Sequence, residues 1–157
     1  MELKKKVNDS RSETVHIVRP NHLNGTGRLF GGTLMQWIDE IAGLVAKRHV
    51  MGNVITASVD HLDFLHPAHK NDVIVLIGKA TYAGNTSMEV KVETYVESME
   101  GNRSLINNAY FTMVALDEND KPTKLPKLIP ETKDEIEEFE NAKKRKQVRI
   151  MRKENGF

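Results

Sequence analysis

Cysteine is absent from the 157 residues, which removes disulfide frameworks, thiolate metal sites and every cysteine-nucleophile mechanism at once. An imbalance of charge is missing too. Lys and Arg total 23 against 22 for Asp and Glu, so there is no whole-molecule basic field to hold nucleic acid or a membrane surface, and an anionic ligand has to be held locally. No stretch approaches the length of a membrane-spanning helix, and Met1 to Lys6 carries positive charge with no apolar run of a secretory signal behind it. These absences predict a cytoplasmic protein with neither nucleic acid nor membrane as a partner. Of the nucleotide motifs, no Gly-Lys-Ser/Thr follows the glycines at positions 25–32, and they lack the spacing and preceding strand of a dinucleotide fingerprint.

Hydrophobic periodicity supplies an element order. Val15 and Ile17 alternate with polar residues and predict a first strand, ended by Arg19-Pro20-Asn21-His22. From Thr33 to about His49, Leu34, Ile38, Ile41 and Val45 recur at helical spacing, with Trp37 and Leu44 widening the stripe. Extended runs follow at Val54 to Leu65, Asp72 to Tyr82, Ser87 to Ser98 and Leu105 to Leu116. The cleanest alternates Met88, Val90, Val92 and Val96 with Glu89, Lys91, Glu93 and Tyr95. One buried helix and about five strands predict an α+β layer, a helix laid on an antiparallel sheet. Pro122, Pro126 and Pro130 break regular structure, and Glu131 to Lys153 reads as an exposed helix, acidic first and basic last, a polarity that suits the helix dipole. The chain thus divides into a domain at 1–126 and a charged helical extension at 127–157. Lys143-Lys144-Arg145-Lys146 reads either as a solvated helix end or as a contact with ligand phosphates or another subunit.

Chemistry concentrates between Asn24 and Glu40. Glycines at the mouth of a helix let a ligand approach the backbone, and the free N–H groups of the first turn carry partial positive charge. Gly31 and Gly32 are therefore candidates for an oxyanion site. On the helical wheel Asp39 falls between Gly43 and Ala46, near Met35 and Ala42 and away from Gln36, Glu40 and Lys47. A carboxylate against small residues points to a crevice, where partial desolvation keeps it basic enough to activate water. Other constellations fail on spacing. His61, His66 and His69, with Asp60 and Asp63, match no compact zinc motif, so no metal is expected. Ser58, Asp60 and His61 lie too close in sequence to converge as a triad. Trp37 and Tyr110 are assigned to the core or an interface.

Four ordered motifs carry a resemblance: Asn24-Gly25-Thr26-Gly27-Arg28-Leu29-Phe30-Gly31-Gly32, Trp37-Ile38-Asp39-Glu40, Ala57-Ser58-Val59-Asp60-His61-Leu62-Asp63-Phe64 and Gly84-Asn85-Thr86-Ser87-Met88-Glu89. Together they resemble the YciA-like and cytosolic acyl-CoA thioester hydrolase family, over about Val15 to Pro126. The resemblance implies a hotdog fold, an antiparallel sheet wrapped around one long central helix. It implies an acyl-CoA thioesterase with Asp39 as the catalytic carboxylate and Asn24 as its partner, the two supplied by opposite protomers. Asp39 would activate water or attack directly to form a mixed anhydride, with Asn24 orienting the reactants and the helix N-terminus at Gly31 and Gly32 holding the carbonyl oxygen. Asn85, Thr86 and Ser87 match the family's coenzyme A contact region, although a hairpin turn accounts for them equally well. No cofactor is implied, coenzyme A being part of the substrate. A homodimer is the minimum assembly, with a hexamer, a trimer of dimers, expected. The competing readings are a non-catalytic acyl-CoA-binding module, which as a regulator would need more than the dozen residues before the first strand for a DNA-binding segment, and a hotdog dehydratase, which shares only the fold.

Overall fold

Packing of one helix against one sheet organises the computed structural model, which describes residues 1–157. The elements are β1 (Lys4–Lys6), α1 (Val7–Ser10), β2 (Ser12–Ile17), a 3-10 turn (Pro20–His22), α2 (Gly31–Val50), β3 (Asn53–Phe64), β4 (Val73–Ala83), β5 (Ser87–Glu97), β6 (Arg103–Leu116), β7 (Lys127–Ile129) and α3 (Lys133–Glu154). Strands β2-β4-β5-β6-β3 form a five-stranded sheet in that order, every neighbouring pair antiparallel. The expected helix and the four long strands are all present.

The stripe read from the sequence is the face of α2 that is buried: Leu34, Ile38, Ile41 and Val45 are 4% exposed or less. Each contributes about 1.5–3 kcal/mol by leaving water. They lie on alternate residues of the sheet, including Leu76 of β4, Val90 and Val92 of β5 and Phe111 and Met113 of β6. The helix comes close to the sheet at Gly78, where a Cβ would stand 2.8 Å from Val45 and 3.3 Å from Ile41. A side chain there would push α2 off β4.

Three features add to or depart from the sequence pattern. Strand β2 forms, but Val15 and Ile17 point outward, 57% and 51% exposed. The inward residue His16 stacks on Trp37, ring centroids 4.2 Å apart and ring planes nearly parallel. Alternation fixes two faces of a strand but not which one is covered. The prolines do not exclude regular structure: β7 lies between Pro126 and Pro130 and pairs in parallel with β1, Leu128 opposite Lys5. A residue before proline is biased toward extended backbone, so prolines flanking a short segment favour a strand.

The basic block of α3 is not uniformly solvated either. Helix α3, capped by Thr132, whose hydroxyl accepts from the Glu135 N–H at 3.1 Å, lies on the sheet face opposite α2. Phe139 packs on Tyr82. The Arg145 guanidinium bonds both oxygens of Glu89, the shortest contact being 2.7 Å, with only 5% of the Glu89 side chain exposed. Removing one member of so buried a pair costs about 3–5 kcal/mol, because the other charge is stranded. Arg145 is therefore structural, while Lys143 and Lys144 remain exposed.

Candidate active site

The loop before α2 is built around one side chain. The Asn24 side-chain oxygen accepts from the Thr26 N–H at 2.9 Å, the Thr26 hydroxyl at 2.8 Å and the Arg28 N–H at 3.1 Å. Backbone bonds from Asn24 N to Arg28 O and from Gly27 N to Asn24 O close the turn. With its oxygen filled, Asn24 offers only its NH2 group outward, as a donor. His22 fixes the base of the loop: its carbonyl accepts from the Phe30 N–H at 2.8 Å, and its ring meets the edge of Trp37.

Helix α2 then starts without help. Phe30 occupies the N-cap with no side-chain cap bond, and no acidic residue stands in the first turn. The amides of Gly31 and Gly32 therefore have no intrahelical acceptor. At Gly32 a Cβ would lie 2.6 Å from the Phe30 ring, so a larger residue would displace the aromatic lid over this end of the helix. Asn24 and Gly31 line a cavity of about 300 Å³ whose apolar wall includes Leu29, Leu34, Phe64 and Ile106. The structure thus brings Asn24 and the Gly31 end of α2 together around an apolar hollow, with unengaged donors at its rim.

Asp39 is elsewhere. It lies eight residues beyond Gly31 on α2, about 12 Å along the helix axis, and does not line that cavity. Within one chain the expected crevice is not formed: Asp39 is exposed, and a Cβ on neighbouring Gly43 would meet nothing within 4 Å. One group holds the carboxylate, the Thr56 hydroxyl of β3, which donates to Asp39 Oδ1 at 2.7 Å. Thr56 escaped the sequence reading because only the antiparallel run of α2 against β3 brings it to Asp39. The same run sets Gly31 beside Phe64 at the far end of the strand, where a Cβ on Gly31 would stand 3.5 Å from the Phe64 ring.

Asn85 and Thr86 form the β4–β5 turn and Ser87 begins β5. Their backbones are committed: the Asn85 carbonyl accepts from Leu125 N–H and the Thr86 carbonyl from Ala115 N–H. Ser87 is in register with Val114 of β6, itself opposite Ile55 of β3. This turn accordingly shares an end of the sheet with Thr56 and Asp39, not with Asn24. Among the remaining candidates, Asp60 is taken by Arg149 at 3.3 Å, and no three His, Asp or Glu side chains group as metal ligands. No helix is long and apolar enough to cross a membrane.

Strand β3 is an edge of the sheet. Its Ile55, Val59 and Phe64 are 49%, 42% and 53% exposed, and Met35 of α2 is 45% exposed. A long edge strand with apolar side chains in the open is a template for another strand.

Comparison with known proteins gives a consistent result. The model of the Thioesterase superfamily matches residues 26–101. The uncharacterized acyl-CoA thioester hydrolase YkhA of Bacillus subtilis is 41% identical over 140 residues, covering 88% of this chain and 81% of that one. The cytosolic acyl coenzyme A thioester hydrolase of Rattus norvegicus is 39% identical over 142 residues, again 88% of this chain, which spans 37% of the rat protein's length. An acyl-CoA hydrolase from Staphylococcus aureus, solved with butyryl coenzyme A, coenzyme A and coenzyme A disulfide, superposes with a TM-score of 0.93 at 34% identity, over 98% of this chain and 94% of that one. That enzyme was also solved with alanine replacing one Asp, one Asn or one Thr. An apo-hexameric acyl-CoA thioesterase superposes with a TM-score of 0.92 at 38% identity, over 96% and 97% of the two chains. The fold, the ordered motifs and these relatives together establish that the chain belongs to the thioesterase superfamily, as a hotdog-fold member of the acyl-CoA thioester hydrolase group.

Proposed function

We propose that this protein hydrolyses the thioester bond of acyl-coenzyme A at a site shared between two copies of the chain. The observation that carries the reading is the pairing of free donors with an apolar hollow: the uncapped N-terminus of α2 and the Asn24 NH2 group border the 300 Å³ cavity. An acyl chain fits the hollow and its thioester oxygen meets the donors. Negative charge developing on that oxygen as the carbonyl is attacked is what such donors stabilise.

The nucleophile's activator is Asp39, from the other chain. Antiparallel pairing of two β3 edges about a two-fold axis exchanges the ends of the strands, setting the Thr56 and Asp39 end of one protomer against the Phe64 and Gly31 end of its partner. Asp39 then takes the proton of a water attacking the carbonyl carbon, or attacks it directly to give an anhydride that water opens. In either route the carbon–sulfur bond breaks and coenzyme A leaves as the thiol. In the Staphylococcus aureus enzyme the intervals from the altered Asn to the Asp and from the Asp to the Thr equal those from Asn24 to Asp39 and from Asp39 to Thr56 here. This supports Thr56 as the group that orients the carboxylate.

Residues 1–126 carry this chemistry and 127–157 the docked extension. Asn85, Thr86 and Ser87, at the Asp39 end of the sheet, contact the pantetheine or phosphates of the substrate. The dimer is the minimum active unit; the hexameric neighbour supports a six-chain assembly, built here as a trimer of dimers. Relatives named cytosolic support a cytoplasmic location. Release of free thiol across a panel of acyl-CoA chain lengths tests the assignment. Turnover of at least one chain length is expected, whereas saturable binding without release across the panel would leave only a non-catalytic acyl-CoA module.

A further inference from the structure

A hollow edged by charged side chains lies between α3 and β3, and shares no lining residue with the Asn24 cavity. It measures about 170 Å³, and its walls include Asp60, His61, Lys144, Arg145, Arg149 and Arg152. Four cations and one carboxylate face the same small volume. Two of the cations are fixed in place: Arg145 by Glu89 and Glu138, its guanidinium 3.9 Å above the Tyr110 ring, and Arg149 by Asp60. Lys144 and Arg152 are exposed and have no carboxylate within ion-pair distance. Along α3 the cations are spaced at i, i+4 and i+7 (Arg145, Arg149, Arg152), where like charges destabilise a helix. A bound anion would offset that repulsion.

The opposite wall has irregular backbone. His61 has φ 52°, in the left-handed region that non-glycine residues seldom occupy. It sits within a register shift between Asp60 and Asp63. Bulges of this kind re-aim side chains, and such backbone is retained where the surroundings require it.

We infer that this groove binds a phosphate or pyrophosphate group, with Lys144 and Arg152 as the free cations and Arg149 and His61 forming its floor. Planar guanidinium forks and a neighbouring ammonium are the side chains suited to phosphate oxygens. The phosphate could belong to the coenzyme A portion of a substrate, which rests on the thioesterase reading, or to a separate phosphate compound.

Calorimetric titration of inorganic pyrophosphate into the full chain tests the site without relying on activity. The double variant Lys144→Gln, Arg152→Gln is expected to bind pyrophosphate at least tenfold more weakly than the parent, with its helical circular dichroism retained. A control carrying Lys70→Gln and Lys121→Gln removes the same net charge elsewhere on the surface and is expected to bind as the parent does. Equal affinity in the parent and the double variant, or an equal loss in the control, would overturn the proposal. Kinetics then separate the sources. If coenzyme A supplies the phosphate, KM for acyl-CoA rises in the double variant relative to KM for the phosphate-free acyl-pantetheine. If a separate compound does, that ratio stays at the parent's value while pyrophosphate affinity still falls.

Discussion

At the Gly31 end of α2 the groups left without partners are donors, the helix amides and the Asn24 NH2, gathered around an apolar cavity. About two turns further on, the free group is an acceptor, the Asp39 carboxylate, with one hydroxyl to hold it and open space beside it. One end can stabilise charge on a carbonyl oxygen but has no base. The other has a carboxylate, set outside that cavity. The length of the helix between them keeps the two sets of groups apart in a single chain, and the proposed shared site joins them across the β3 edge, where apolar side chains are exposed.

The largest effect is expected at the acceptor end. Asp39→Asn should leave the fold and acyl-CoA binding intact while kcat falls by about a hundredfold or more, the scale of one acid–base group. Steady-state rates within threefold of the parent would remove Asp39 from the chemistry. At the donor end, Asn24→Asp keeps the oxygen that organises the turn and replaces only the outward NH2. Its kcat should drop by about tenfold to a hundredfold, more than KM rises, since the lost donor acts chiefly in the transition state. An effect confined to KM would make Asn24 a binding residue. The smallest change is expected from Thr56→Val, which removes the hydroxyl from Asp39 while keeping the shape of the side chain. A loss of one hydrogen bond to a charged but solvated group, about 1 kcal/mol, corresponds to a fall of about fivefold in kcat/KM. A thermal melt would show whether Thr56 serves stability instead, through a lowered Tm at unchanged kcat/KM.

Much of the fold was legible because it rests on local pattern. The stripe of Leu34, Ile38, Ile41 and Val45 and the alternation of Met88, Val90 and Val92 each face the core as their periods require. What depended on distant partners was not legible. The period of Val15 and Ile17 gave the strand but not its covered face, which is the one where His16 meets Trp37 across the layer. Arg145 reads as one of four like charges in a tail until the fold delivers Glu89, 56 residues away, to it. At the site the glycine-rich entry to α2 was visible as a donor end, and the structure added that the Asn24 oxygen is already occupied and its NH2 is the free group. The environment of Asp39 was misjudged because a helical wheel describes neighbours on one helix, whereas the crevice in this account is completed by a second chain.

Mixing variant chains reports on that completion without any other assumption about the chemistry. A dimer of one Asp39→Ala chain and one Asn24→Ala chain has one site lacking both residues and one intact site, whereas either homodimer has none. Co-refolding equal amounts with random pairing gives about half heterodimers, so about a quarter of all sites should be intact under two-fold symmetry. Two inactive variants should together release thiol at about that fraction of the unmodified protein's rate. Verified heterodimers with no activity would contradict the shared site, because Asn24 and Asp39 would then have to act within one chain.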